Sequence, residues 1–236
     1  MTVAVLPREG LGNQMFWYAL GRAEALESGS HLRVNTEWFD QGINPARSFL
    51  LDRFALADAP DVTIGRGGGG RIEDPRIGDP SYFRTVRDQL RADFSTGSEP
   101  PLSDRVGVHV RRGDFARLRL NGSLLMKPER LKTAMAGFPG RDFRIFSDDP
   151  AWCAEHLGGP GVEVMPAGDP VEDLLALAAC ADLIIANSTF SWWAAWLRRH
   201  LDGAVLFPRN WHDGAWPGRP DPLCHNHLID PAWIAY

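Results

Sequence analysis

Two arginines in succession, Arg111 and Arg112, close a run that alternates as a β-strand does, with Val106, Val108 and Val110 separated by Gly107 and His109. Gly113 and Asp114 follow them. A guanidinium is permanently charged, and its fork matches phosphate oxygens. Two of them at the carboxyl end of a strand stand where open α/β sheets bind ligands. The chemistry on offer is a grip on a phosphate or diphosphate; a solvated basic turn is the plain alternative for Arg-Arg taken by itself. A second stretch offers the same ligand another wall. Residues 182–186 run mostly apolar, and Asn187, Ser188, Thr189 and Ser191 then lead into Phe190-Ser-Trp-Trp-Ala-Ala-Trp-Leu, which opens a helix. Helix starts carry unpaired amides and a positive dipole end. Small polar residues there can bind an anion or serve only as caps. In a parallel sheet both exits open on one edge, so Arg111 and Arg112 can meet residues 188–191 around one diphosphate.

The elements that must position these groups follow from periodicity. In the first half, strands are expected at 2–6, 31–35 and 62–64. Met15, Phe16, Ala19, Leu20, Ala23 and Leu26 keep helical spacing. Between the first strand and this helix, Gly10 and Gly12 make either a tight turn or a loop whose amides approach a ligand. Residues 49–54 are a short apolar piece, and 81–94 read as one helix with Phe83, Val86, Leu90 and Phe94 on a face. Thr-Gly-Ser-Glu-Pro-Pro at 96–101 is turn-rich and reads as a linker. In the second half, strands at 106–110, 143–147, 162–165, 182–186 and 204–207 alternate with helices near 128–137, 151–157, 171–181 and 190–200. Asp169 suits the cap of the third helix and Pro170 its first position. Such alternation implies parallel, doubly wound sheets. Two halves joined by a linker give an α/β chain of two Rossmann-like domains, 1–100 and 101–236, facing a cleft.

Composition narrows the classes. The chain has 236 residues, 44% hydrophobic and 23% charged, with a formal net charge of −5. That balance argues against a general grip on nucleic acid. Cys153, Cys180 and Cys224 are odd in number and lack metal spacing, so reduced thiols and a cytoplasmic chain are expected. The amino end does not have the makeup of a signal peptide, and no apolar run approaches the roughly 18 residues of a membrane span. Asp148-Asp149 reads as a helix cap before Pro150 rather than a metal pair. His225 and His227 beside Cys224 have no second ligand pair. Trp192, Trp193 and Trp196 sit at core spacing, with Trp192 the one most able to stack on a sugar. Trp211, Trp216 and Trp233 pin the tail.

Four segments in order resemble glycosyltransferase family 11, the α-1,2-fucosyltransferases. Gly10-Leu-Gly-Asn-Gln-Met-Phe-Trp-Tyr-Ala-Leu-Gly21 resembles that family's opening, and His109-Val-Arg-Arg-Gly-Asp114 its His-x-Arg-Arg-Gly-Asp motif. Phe146-Ser-Asp-Asp-Pro150 and Ile185-Ala-Asn-Ser-Thr-Phe-Ser-Trp-Trp-Ala-Ala-Trp-Leu197 complete the set, and Pro208-Arg-Asn-Trp211 looks like its closing segment. The resemblance implies a GT-B type fold, GDP-β-L-fucose as donor, inversion at the anomeric carbon and no metal or other cofactor. It puts Arg111 and Arg112 on the donor diphosphate, with His109 beside them. Asp173 matches an acidic residue near guanine. Gly12 and Asn13 would face the nucleotide across the cleft, and Ser188, Thr189, Phe190 and Ser191 would line phosphate and ribose.

The implied acceptor is an oligosaccharide or glycolipid-linked galactoside, fucosylated at its 2-hydroxyl. A glycolipid acceptor adds peripheral association with the inner face of the membrane. The amino-terminal acceptor half is shortened between 40 and 81, Trp17 stands where Gln is common, and Met126-Lys-Pro-Glu-Arg-Leu replaces a frequent Tyr-Tyr segment. Two alternatives therefore stay open: a different acceptor hydroxyl, and a non-catalytic sugar-nucleotide or glycan-binding module. Asp114 is the candidate base for the acceptor hydroxyl, or else the carboxylate that orients an arginine.

Overall fold

The structure is a computed structural model that describes residues 1–44, 46–67, 80–113, 126–208, 230 and 232–236. Asp114, Trp211, Trp216, Cys224, His225 and His227 lie outside the described residues. The chain divides into two compact units, Met1–Glu99 and Pro100–Tyr236.

The first unit is a parallel sheet of order β1-β2-β3, built from β1 (Thr2–Val5), β2 (His31–Asn35) and β3 (Val62–Gly65). Helix α1 (Leu11–Ser28) crosses from β1 to β2. It lies close on the sheet because Gly21 has no side chain: a Cβ there would sit 2.5 Å from Val5 and 2.9 Å from Leu32. Gly29 ends α1 in the left-handed conformation, φ +61°. A short α2 (Glu37–Asp40) and 3₁₀ turns at Leu51–Arg53 and Ala55–Asp58 precede β3. The single helix expected at 81–94 is instead a 3₁₀ segment, Pro80–Val86, followed by α3 (Arg87–Asp93). The tighter winding carries buried Phe83 against Phe16, with ring centroids 6.0 Å apart.

A buried polar hub ties this unit together. Asp93 Oδ2 accepts from Arg22 Nε at 3.0 Å and from the Tyr18 hydroxyl at 2.7 Å, and its Oδ1 accepts from Gln89 at 2.7 Å. Arg22 also reaches Asp61 at 2.6 Å. The hub joins α1, α3 and the entry to β3, and removing one member of such a buried pair costs about 3–5 kcal/mol. Gln14, in the first turn of α1 and fully buried, does similar work for the loops. Its amide nitrogen donates to the carbonyls of Glu9 at 3.0 Å and Ser48 at 2.9 Å, and its oxygen accepts from Leu50 N at 3.0 Å.

The second unit is a parallel sheet of order β6-β5-β4-β7-β8-β9. Its strands are β4 (Ser103–Val110), β5 (Phe143–Ser147), β6 (Val162–Val164), β7 (Cys180–Ile184), β8 (Val205–Phe207) and β9 (Ile234–Ala235). The helices between them are α4 (Pro128–Ala136), α5 (Pro150–Leu157), α6 (Pro170–Ala178) and α7 (Thr189–Leu197). Val106, Val108, Val110, Leu131, Ile145 and Ile184 are fully buried at its centre. Gly107 lets the α6–β7 turn approach β4, since a Cβ there would meet Leu177 at 2.8 Å and Cys180 at 2.9 Å. β7 begins and ends two residues before the expected 182–186, because Cys180 joins the ladder opposite Ser103. β9, two residues long, carried no strand pattern of its own in the sequence. Two α/β units on wholly parallel sheets are what the alternation and the resemblance imply for a GT-B type chain.

Candidate functional site

Strand order reverses at β4. The chain steps outward through β5 and β6, then returns across the sheet to pair β7 with the other side of β4. At such a switch point the two neighbouring exits part to opposite faces and leave a crevice at the carboxyl ends of the strands. The exit of β4 carries Arg111 and Arg112; the exit of β7 carries Asn187, Ser188 and the start of α7.

The arginines are held from the β5 side. Parallel pairing sets Val110 opposite Ser147, and the contacts continue beyond the ladder in the same register. Ser147 Oγ donates to Val110 O at 2.8 Å. Asp148 Oδ1 accepts from the Arg112 backbone N–H at 2.8 Å, and its Oδ2 pairs with Arg111 Nη1 at 2.7 Å. Asp149 Oδ2 accepts from Arg112 Nε at 3.0 Å, while its Oδ1 caps α5 through Trp152 N at 3.2 Å. The Arg112 guanidinium lies 3.8 Å from the Trp152 ring centroid, a cation–π contact. The hydrogen bond from Arg112, and then the one from the Trp152 amide, hold the Asp149 carboxyl below the ordinary carboxylate range.

The expected cap at Asp149 is present. Its hold on Arg112, that of Asp148 on Arg111, and the ring under Arg112 were not read from the sequence. A signal existed: once two strands are taken as parallel neighbours in register, the residues one and two past each strand end face each other. Asp-Asp then meets Arg-Arg.

The two exits meet through His109 and Phe190, whose ring centroids lie 5.0 Å apart at 33°. His109 is buried, and its Nδ1 has no hydrogen-bond partner among the described residues. Burial first, and then the Arg111 charge, push its pKa down to about 3, so the ring is neutral. Ser188 caps α7, accepting from Phe190 N at 3.3 Å. Thr189 opens the helix half-buried. Ser191 is fully buried, and its hydroxyl donates to the carbonyls of Ala186 at 3.1 Å and Ser188 at 3.3 Å, so it braces the turn. Trp192 joins Trp193 in the core, with only 2% of its surface exposed, which closes it to a stacking sugar.

Asp173 stands in the first turn of α6, the helix that follows edge strand β6. Burial raises its carboxyl pKa, against the opposing hydrogen bond from the Gly168 backbone. Gly12 and Asn13 belong to the other unit, in the first turn of α1. Just before them, Glu9 is the one non-glycine with positive φ among the described residues, at 62°. In the second unit, then, Arg111 and Arg112 follow β4, Ser188 and Phe190 follow its neighbour β7, and His109 of β4 touches Phe190. Directed guanidiniums at one strand exit and a helix start at the next are groups that can receive a diphosphate and stabilise negative charge building on it.

Residues 83–220 match the family model described as Glycosyl transferase family 11. An alpha-1,2-colitosyltransferase of Escherichia coli is 24% identical over 265 residues, which cover 86% of this chain and 90% of that protein. The galactoside 2-alpha-L-fucosyltransferase SEC1 of Bos taurus is 37% identical over 119 residues, 46% of this chain and 32% of that protein. The chain thus spans most of the bacterial relative and about a third of the bovine one. Among solved structures, the NodZ alpha-1,6-fucosyltransferase soaked with GDP-fucose has a TM-score of 0.43 and 15% identity, over 84% of this chain and 93% of that one.

The buried imidazole has a consequence for stability. Between its depressed folded pKa of about 3 and the ordinary value near 6.5, the unfolded chain binds a proton at His109 that the folded chain refuses. Stability therefore falls as pH drops through that window, by about 2 kcal/mol between pH 6.5 and 5.0. Urea unfolding of the native protein and of His109→Gln at the two pH values checks this. The variant should lack that share of the loss, and equal losses would contradict the assignment.

Proposed function

This chain belongs to glycosyltransferase family 11, and from that premise we propose that it transfers L-fucose from GDP-β-L-fucose to the 2-hydroxyl of a galactoside, with inversion and without a metal. The observation that carries the reading is the meeting of the β4 and β7 exits at the point where strand order reverses, with both arginines on one side and the capped start of α7 on the other. The names of the relatives support the α-1,2 linkage. A second reading keeps that linkage and changes the sugar to colitose, because the relative matched over 86% of this chain is a colitosyltransferase.

In the proposed reaction the acceptor oxygen forms a bond to the anomeric carbon as the bond from that carbon to the diphosphate breaks. The electron pair leaves on GDP. Arg111, Arg112 and the first amides of α7 stabilise that growing charge. Asp114 takes the proton of the acceptor hydroxyl. The turn braced by Ser191 holds Ser188, Thr189 and Phe190 beside phosphate and ribose. Asp173 receives guanine, and Gly12 and Asn13 are assigned to the nucleotide as well. Asp148 and Asp149, each engaged with an arginine, are not assigned to a metal. The acceptor is an oligosaccharide or glycolipid-linked galactoside at the cytoplasmic face. No helix among the described residues is long and apolar enough to cross a membrane.

One assay tests the core of this reading. The protein is incubated with GDP-fucose, a panel of galactosides and excess EDTA, and the product linkage is read by NMR. An α-1,2 fucoside formed in chelator is expected. Another linkage would move the reaction to a different hydroxyl, activity restored only by Mg²⁺ or Mn²⁺ would overturn metal independence, and turnover only with GDP-colitose would favour the second reading. Binding of GDP-fucose without any release of GDP would mark a binding module.

Arg111→Ala and Arg112→Ala should each lower kcat by about 10²-fold or more, since the leaving-group charge develops in the transition state. Near-normal turnover in both would remove the arginines from the site. Asp114→Asn should cut transfer steeply while GDP affinity, measured by calorimetry, stays within about threefold. A parallel fall of both would instead make Asp114 an orienting carboxylate.

A further inference from the structure

The two ion pairs at the β4 exit lie at the protein surface rather than in a core. Side-chain exposures are 21% for Arg111 and 27% for Asp148, and 17% for Arg112 and 37% for Asp149. Pairs this open to solvent contribute little to folding stability. Yet the chain makes specific room for them. Gly113 faces Asp148, and a Cβ at that position would meet Asp148 Oδ2 at 2.6 Å. Asp149 spends one oxygen on the Trp152 amide and the other on Arg112, while the Trp152 ring supports the same guanidinium from its face. Arg112 is thus fixed at its backbone N–H, its Nε and the face of its guanidinium plane.

Charge tells the other half. Two guanidiniums and two carboxylates cancel, so a diphosphate entering here meets directed N–H groups with little net positive field behind them. We propose that Asp148 and Asp149 are positioning residues that aim Arg111 and Arg112 at the diphosphate and, as fixed negative charges beside it, limit how tightly the GDP product is held. The proposal rests on the donor-site reading above. GDP carries about one more negative charge at neutral pH than the sugar-linked diphosphate, because its terminal phosphate regains a second ionisation with a pKa near 6. Repulsion from the two carboxylates therefore falls harder on product than on donor, which favours release after transfer.

Asp148→Asn and Asp149→Asn are close in shape to the originals. Each keeps a carbonyl oxygen for its backbone partner, and Asn remains a good helix cap at 149. Calorimetry of GDP binding at low and at high salt is the direct test, beside initial rates and a first-turnover measurement. Each variant should bind GDP about threefold or more tightly at low salt, the gain shrinking as salt screens the charge. kcat should fall, with a burst of the first product before slower steady turnover. A fold-supporting role alone would move the melting temperature and not tighten GDP. Variants that melt normally and bind GDP with unchanged or weaker affinity would overturn the proposal while leaving the donor site standing. A native protein that binds no GDP would overturn the donor-site reading and this proposal with it.

Discussion

β4 has parallel partners on both sides, and the grouping of side chains at its carboxyl end depends on that constraint. A parallel pair cannot be closed by a tight hairpin, so each neighbour of β4 must be reached through a crossover, and right-handed crossovers place the following helices on fixed faces. With β5 on one flank and β7 on the other, the exits of three strands crowd one edge. The β4 exit supplies guanidiniums, the β5 exit their carboxylates, and the β7 exit a capped helix start. Moving β7 to the outside of β6 would keep every local element and separate the arginines from α7.

The packing that permits this is mostly absence of side chain. Gly107 admits Leu177 and Cys180 against the central strand, and Gly113 admits Asp148 against the arginine turn. His109 of β4 and Phe190 of α7 bring their rings together where these two neighbouring strands end. Burial, and then the Arg111 charge, keep His109 neutral, so the cations at this strand end are the two arginines.

Much of the second unit could be read in the sequence because its signals are local. Val106 to Val110 alternate, Asp169 and Pro170 mark a helix start, and Leu174 and Leu175 fall on one buried stripe. What stayed hidden depended on partners distant along the chain. Asp149 looked like a cap and is one, but its second oxygen serves Arg112, 37 residues away, which only the β4–β5 register reveals. Ser191 carries the same hydroxyl as Ser188, and only the fold shows that it turns inward to its own backbone. Helical spacing at 81–94 hid a 3₁₀ start, because burial of Phe83 against Phe16 outweighed the local preference. β9 exists only because β8 offers an edge for it.

Gln14 makes one machine part out of two loops. Its single side chain grips the carbonyls of Glu9 and Ser48 and receives the amide of Leu50, so the turn after β1 and the segment ahead of the first 3₁₀ turn are bolted to the same point on α1. A force applied at residue 9 is transmitted to residue 48 without passing through the sheet. Whatever presses on either loop meets the stiffness of both.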